Sequence, residues 1–227
     1  MNPTYLVLEI RRTFRARRSY LLTLVLPPVV LSVVGVTQPE LVVSVALYGA
    51  ILAVTGCGAG VAAERAQGWT RQLRLTPLRP GAYAATKVLA AMVLGALSIV
   101  VTLALGAARG VDLPPAVWLG CALACWVVSA PFAALGLFAG YLLRVEAVTR
   151  VLSPVVTLLA AAGGLFVPLD GALGQSARLL PTWGAGELAR APLTTGIDAG
   201  AVANVVLWTL VLVAAAAWRF RRDTARV

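Results

Sequence analysis

Glu64, Arg65, Trp69, Arg71, Leu73 and Arg74 are the densest set of side chains suited to specific contact in a chain that otherwise carries little chemistry. They lie in the stretch Glu64–Pro80, between two long apolar runs. Trp69 and Leu73 are four apart and would share a helical face, with Arg71, Arg74 and Arg79 supplying charge. Pro77 should stop a helix near Leu75 or Thr76, because the residue before a proline is steered away from helical backbone. A short basic amphipathic helix held between two apolar segments is suited to docking another protein through ionic and apolar contact. The alternative is a helix lying on lipid headgroups.

Catalytic chemistry is largely excluded. The chain has no histidine, so Ser-His-Asp and Cys-His arrangements cannot form, and a metal site would lack its commonest ligand. Cys121 and Cys125 are one helical turn apart, a spacing open to a redox or metal pair, but buried cysteines also serve as small apolar packing residues. The single lysine, Lys87, follows Thr86, and no Gly-x4-Gly-Lys-Ser/Thr loop exists. The chain therefore has no P-loop of its own and binds no nucleotide cofactor. Carboxylates are scattered near the ends of apolar runs, which argues against a relay of buried acids and predicts spans free of charge.

The elements that must position these residues follow from composition. Of 227 residues, 60 % are hydrophobic and 12 % charged, against about 45–50 % and 25 % in soluble domains. The mean hydropathy is +0.88. Crossing about 30 Å of hydrocarbon takes roughly 20 helical residues. Six runs without Asp, Glu, Lys or Arg reach that length, giving expected spans at about 20–36, 41–63, 83–108, 115–142, 151–168 and 200–218. Barrel strands would be about half as long and alternate in polarity, so helices are expected. The first run, although flanked by basic residues as a signal peptide is, lacks a convincing cleavage site and is read as an uncleaved span.

Two further segments do not span. Residues 4–18 place Leu6, Val7, Ile10 and Phe14 on one helical side and Arg11, Arg12, Arg15 and Arg18 on the other, the pattern of a helix lying in the membrane interface. Segment 168–199 holds apolar patches punctuated by Pro168, Pro181 and Pro192, and reads as two short re-entrant helices. Pro27, Pro28 and Pro131 are expected to kink the first and fourth spans. Small-residue pairs four apart, Gly56/Gly60, Gly106/Gly110 and Gly136/Gly140, would allow helices to approach closely. No segment is long enough for a separate domain, so residues 1–227 form one transmembrane domain.

Most of the 19 cations flank one side of this layout: the N-terminal segment, loop 64–80, the loop after the fourth span and the C-terminal tail. The positive-inside rule places that side, with both termini, in the cytoplasm of a multi-pass cell-membrane protein. The net charge of +10 is thus an orientation signal, and nucleic acid is not an expected partner.

With these residues in place, the chain resembles the membrane subunit of type-2 ATP-binding-cassette (ABC) exporters, the bacterial permeases of drug, antibiotic and polysaccharide export. The resemblance covers nearly the whole chain and rests on the order of elements. Its most specific stretch is Glu64-Arg65, Gly68, Leu73, Thr76-Pro77-Leu78, Tyr83 and Lys87. Trp69 is less usual there, and Gln67 stands where a second acid is common. The resemblance implies an interfacial connecting helix at 4–18 and a coupling helix at 64–76 seated in a cleft of the ATPase. It implies a second permease chain, identical or different, paired through the first and fifth spans, and two ABC ATPase subunits carrying ATP and magnesium. The external helices would help close the exit. The implied function is export of a hydrophobic or amphiphilic small molecule, such as a drug, antibiotic or lipid-like compound, by a permease that is not itself an enzyme. A structural or assembly subunit, or a membrane-embedded lipid-modifying enzyme, are the alternatives.

Overall fold

The computed structural model describes residues 8–9, 29, 37–68, 80–194 and 196–225. Their regular structure is entirely helical. The sequence runs Pro39–Thr55 (α1), Cys57–Ala66 (α2), Pro80–Ala108 (α3), Pro115–Leu142 (α4), Val145–Ala162 (α5), Gly171–Ala177 (α6), Pro181–Arg190 (α7) and Ala199–Ala225 (α8). Helices α1 and α2 form one long element interrupted at Gly56, so among the described residues five elements are long and apolar enough to cross a membrane. The expected first span at 20–36 lies outside the described residues, apart from the helical Val29.

Local chemistry explains the boundaries. Prolines open α1, α4 and α7, where the missing N–H is not needed. Helix α3 ends in a left-handed glycine, Gly110 at φ 88°, with the Val111 N–H donating back to the Gly106 carbonyl at 3.2 Å. Helix α5 ends the same way at Gly164, with the Leu165 N–H donating to the Ala160 carbonyl at 3.0 Å. Pro131 is buried within α4, and Pro154 lies on an exposed face of α5.

The fourth span coincides with expectation. The fifth does not: its helix begins at Val145 and ends at Ala162, well before the expected 151–168. Arg150 and Glu146 are helical, so the apolar window did not mark the backbone boundary. The segment after it forms two short helices, as expected, and α7 packs against α1, α4, α5 and α8. The expected coupling helix 64–76 is corrected at its start. Glu64–Ala66 are the last turn of α2, and Gly68 at φ 70° ends that helix. Residues 69–79 lie outside the described residues.

The core is built around α1, whose residues Val42 to Thr55 are all buried. Helices α3 and α4 flank it, α5 touches it from the side, and α8 lies on α4 and α7. The outward faces carry exposed Leu119, Leu123, Val127, Leu158, Leu207 and Leu210, which is the surface a lipid environment requires. Where α2 crosses α4 the backbones nearly touch. A methyl group on Gly58 would collide with the Gly136 carbonyl, one on Gly136 would lie 2.5 Å from the Thr55 carbonyl, and one on Gly140 would lie 2.5 Å from the Gly58 carbonyl. The Gly136/Gly140 pair therefore works as small-xxx-small spacing predicts, whereas Gly60 faces open space and Gly106 packs on Val42. Cys57 and Cys125 are packing residues whose thiols donate weakly to the Ala133 and Val43 carbonyls, 3.7 and 3.8 Å away.

Candidate functional site

The long helices have two common ends. At one end α2 finishes at Ala66 and α3 begins at Pro80, so both roots of the loop between them lie side by side. Glu64, near the end of α2, is 1 % exposed and faces inward. Its Oε1 accepts a hydrogen bond from Lys87 Nζ at 2.5 Å, and its Oε2 accepts one from the Tyr83 hydroxyl at 2.5 Å. Tyr83 and Lys87 are one turn apart on α3, which places both on the face that meets α2. The same ammonium donates to Glu9 Oε1 at 2.5 Å. The side chains of Lys87 and Glu9 are 3 % and 10 % exposed, and the Lys87 ammonium lies 5.4 Å from the centre of the Tyr83 ring.

This cluster corrects the expectation of spans free of charge. Lys87 lies within the α3 helix and is buried, yet it is matched by two carboxylates and sits near the end of the bundle. A buried charge is tolerable when it is paired and hydrogen-bonded. Removing one partner of such a pair typically costs about 3–5 kcal/mol, because the other charge is left uncompensated.

Arg65 turns the other way and donates from Nη1 to the Gly140 carbonyl at 3.0 Å. Glu64 and Arg65 therefore bind α3 and α4 respectively; Glu64 is buried and Arg65 half-buried. Of the other residues proposed from sequence for coupling, for the interfacial helix and for the kinks, only Pro131 is described. Trp69, Arg71, Leu73, Arg74, Arg11, Arg12, Arg15, Arg18, Pro27 and Pro28 lie outside the described residues. Sequence reasoning missed Glu9 as a partner and gave Lys87 and Tyr83 no contact. The available signals were that Lys87 is the one lysine of the chain and that it follows Tyr83 by one turn.

At the opposite end a cavity of about 400 Å³ opens between the start of α1, the turn after α5, and α6–α7. Glu40, Ser44, Phe166, Trp183, Glu187 and Arg190 line it. Arg190 donates from Nη1 to Ser44 Oγ and from Nη2 to Glu187 Oε1, both at 2.8 Å. Thr182 donates to the Leu159 carbonyl at 2.5 Å, and Asn204 and Trp208 donate to the Arg178 and Leu179 carbonyls at 2.8 and 2.9 Å. These bonds fix α6 and α7 onto α5 and α8. The cavity is amphiphilic, with aromatic rings beside carboxylates and a guanidinium. Among the described residues no group of three or more His, Cys, Asp or Glu is placed to hold a metal ion.

A family model described as an ABC-2 family transporter protein matches residues 29–218. The chain belongs to the ABC-2 transporter family. It is accordingly a multi-pass membrane protein and a transport subunit. A protein of Bacillus subtilis (strain 168), named as a transport permease, YvfS, is 34 % identical to this ABC-2 chain over 110 residues. The match covers 47 % of this chain and 44 % of that protein, so it spans less than half of the relative's length. No solved structure matches the chain. The ABC-2 family match covers α1 to α7 and α8 as far as residue 218, together with the stretch between Glu64 and Lys87.

Proposed function

We propose that this chain is the membrane-spanning permease of an ATP-driven exporter, with ATP and magnesium held by a separate ABC ATPase. The observation that carries this reading is the rooted loop. A chain of the ABC-2 family without a P-loop needs an energy source outside itself. Its basic-aromatic loop 67–79 emerges between two helices whose ends are tied together by Glu64, Lys87 and Tyr83. A load on such a loop is delivered to α2 and α3 at once instead of being absorbed by flexing.

In this reading the Lys87 end faces the cytoplasm, where two permease chains and two ATPases assemble. This reading has six crossings, in keeping with Glu9 at the Lys87 end and the start of α1 at the opposite end. ATP binding closes the ATPase pair and shifts the population of membrane conformations through the loop. Glu64 acts from inside, by holding the loop root, and Arg71 and Arg74 meet the ATPase surface. The passenger is a hydrophobic or amphiphilic small molecule, in keeping with the mixed lining of the 400 Å³ cavity at the outer end. Helices α6 and α7 would close that exit as re-entrant elements.

The test is purification through a tag on this chain after co-expression with its ATPase. A stoichiometric ATPase should co-elute, and lipophilic dyes should stimulate its hydrolysis. Glu64→Gln and Arg71→Ala should each lower dye export per ATP by about tenfold with normal membrane insertion, a loss of about 1.4 kcal/mol of coupling. Failure of any ATPase to co-elute would sink the reading.

A further inference from the structure

We propose that the cavity between the start of α1 and helices α6–α7 is a binding site for organic cations, molecules with one positive charge on an apolar body, and that Glu40 selects the charge. As a statement about the passenger, this rests on the reading of the cavity as part of the export route. As a statement about binding, it stands on the residues of the cavity.

The charged side chains of the lining are Glu40, Glu187 and Arg190. Arg190 is committed. Its fork is held at both prongs, on Ser44 Oγ and on Glu187 Oε1, each at 2.8 Å. Ser44 is buried on α1, so the guanidinium is pinned between α1 and its own helix. Reaching Glu40 would break both bonds. Arg190 therefore neutralises Glu187 and leaves Glu40 over. Glu40 is exposed and has no hydrogen-bond or ion-pair partner among the described residues. It stands in the first turn of α1, where the helix end supplies only about half a positive charge. The lining thus keeps a negative balance, and the walls of a cleft focus such a field on a ligand.

The rest of the lining suits an apolar body. Phe166 and Trp183 face the cavity. Phe166 is set edge-on against Tyr48, with ring centres 5.2 Å apart, and the Tyr48 hydroxyl is hydrogen-bonded to Thr157 at 2.7 Å. Trp183 rides on α7, which Thr182 ties to the Leu159 carbonyl. The aromatic walls are therefore in place before a ligand arrives, and binding need not order them. The Arg178 guanidinium already lies 5.6 Å from the centre of the Trp183 ring. The charged centre of a ligand accordingly belongs at Glu40, and its body at Phe166 and Trp183. A small hydrated ion gains little from an open carboxylate, whereas an organic cation adds the burial of its apolar surface. A volume of about 400 Å³ is that of a small-molecule site.

Tetraphenylphosphonium and tetraphenylborate, alike in shape and opposite in charge, test this on the full chain in lipid nanodiscs with its ATPase. Gln38 is exposed in the lining, and Leu179 is exposed outside it. Cys57, Cys121 and Cys125 are buried and do not compete for label. The rate of maleimide labelling is followed at Gln38→Cys, with Leu179→Cys as the control for effects of the ions on the bilayer. Tetraphenylphosphonium should protect Gln38→Cys and not Leu179→Cys, and tetraphenylborate should protect neither. Adding Glu40→Gln should raise the phosphonium concentration for half-protection by about fivefold, and Glu40→Arg should transfer protection to the borate. Glu40 is exposed, so both variants should fold, which an unchanged labelling rate at Leu179→Cys without ions would verify. Equal protection by the two ions, no protection by the phosphonium, or protection unchanged by Glu40→Gln would overturn the cation site and leave the export reading standing. Glu40-dependent protection without ATP-driven movement of tetraphenylphosphonium in proteoliposomes would uphold the site and overturn its assignment to the passenger.

Discussion

At the residue scale, the cluster around Lys87 concentrates most of the electrostatic risk in the molecule. Replacing Lys87 by alanine removes the buried ammonium that Glu64 and Glu9 share and should destabilise the protein by about 3–5 kcal/mol. Tyr83→Phe removes a hydrogen bond to a buried carboxylate and should cost about 1.5–3 kcal/mol. Thermal unfolding in detergent would rank them. The double variant Glu64→Gln/Lys87→Met should lose less than the sum of its singles, because residues in one ionic network do not contribute additively. Additive losses would mean that the two groups are not energetically paired. None of these partners was legible in the sequence. The distances of 78 and 23 residues between Lys87 and its carboxylates exceed any helical or strand periodicity. Only the spacing of Tyr83 and Lys87 hinted at a shared face.

At the element scale, the glycines of α2 and α4 divide sharply. Gly136→Val would drive a branched side chain into the Thr55 backbone at the end of α1 and should split the α1–α2 element from α4, seen as loss of monodisperse protein on size exclusion. Gly60→Ala adds a methyl to open space and should be neutral or stabilising by up to about 1 kcal/mol, through helix propensity alone. If both variants behave alike, the close crossing is not what holds the two helices. Span existence was readable from charge-free windows because a membrane helix is selected for length and apolarity. Helix boundaries were less readable. At 115–142 the window and the helix coincide, bracketed by Pro115 and the turn after Leu142. At α5 they part, because Glu146 and Arg150 ride on the first turns of a helix and the glycines at 163–164 set its end. The start of the loop was misplaced for a related reason: Gly68 adopts a left-handed conformation that a count of apolar and charged residues cannot reveal.

At the scale of the whole molecule, the two ends differ in character. One holds a buried ionic cluster where α2 ends and α3 begins, and the other an amphiphilic cavity beside two short helices. The sidedness assigned to them is open to direct measurement. In intact cells a membrane-impermeant maleimide should label Leu173→Cys on α6 and leave Gln67→Cys unlabelled until the membrane is opened. The reverse pattern would invert the orientation. The family was legible from the order of elements and from the residues between Glu64 and Lys87. The cavity was not, because it is assembled from α1, α6, α7 and the turn after α5, segments far apart in the chain.

Lys87 has one more property. It is the sole lysine of the chain, and it is sealed inside the protein. A lysine-selective protease, or a reagent that acylates side-chain amines, therefore finds a single internal target, and finds it only when the cluster opens. The native chain thus carries its own reporter. Cleavage or acylation at one bond or one nitrogen, followed during turnover by mass spectrometry, would time the opening of this cluster without any engineered label.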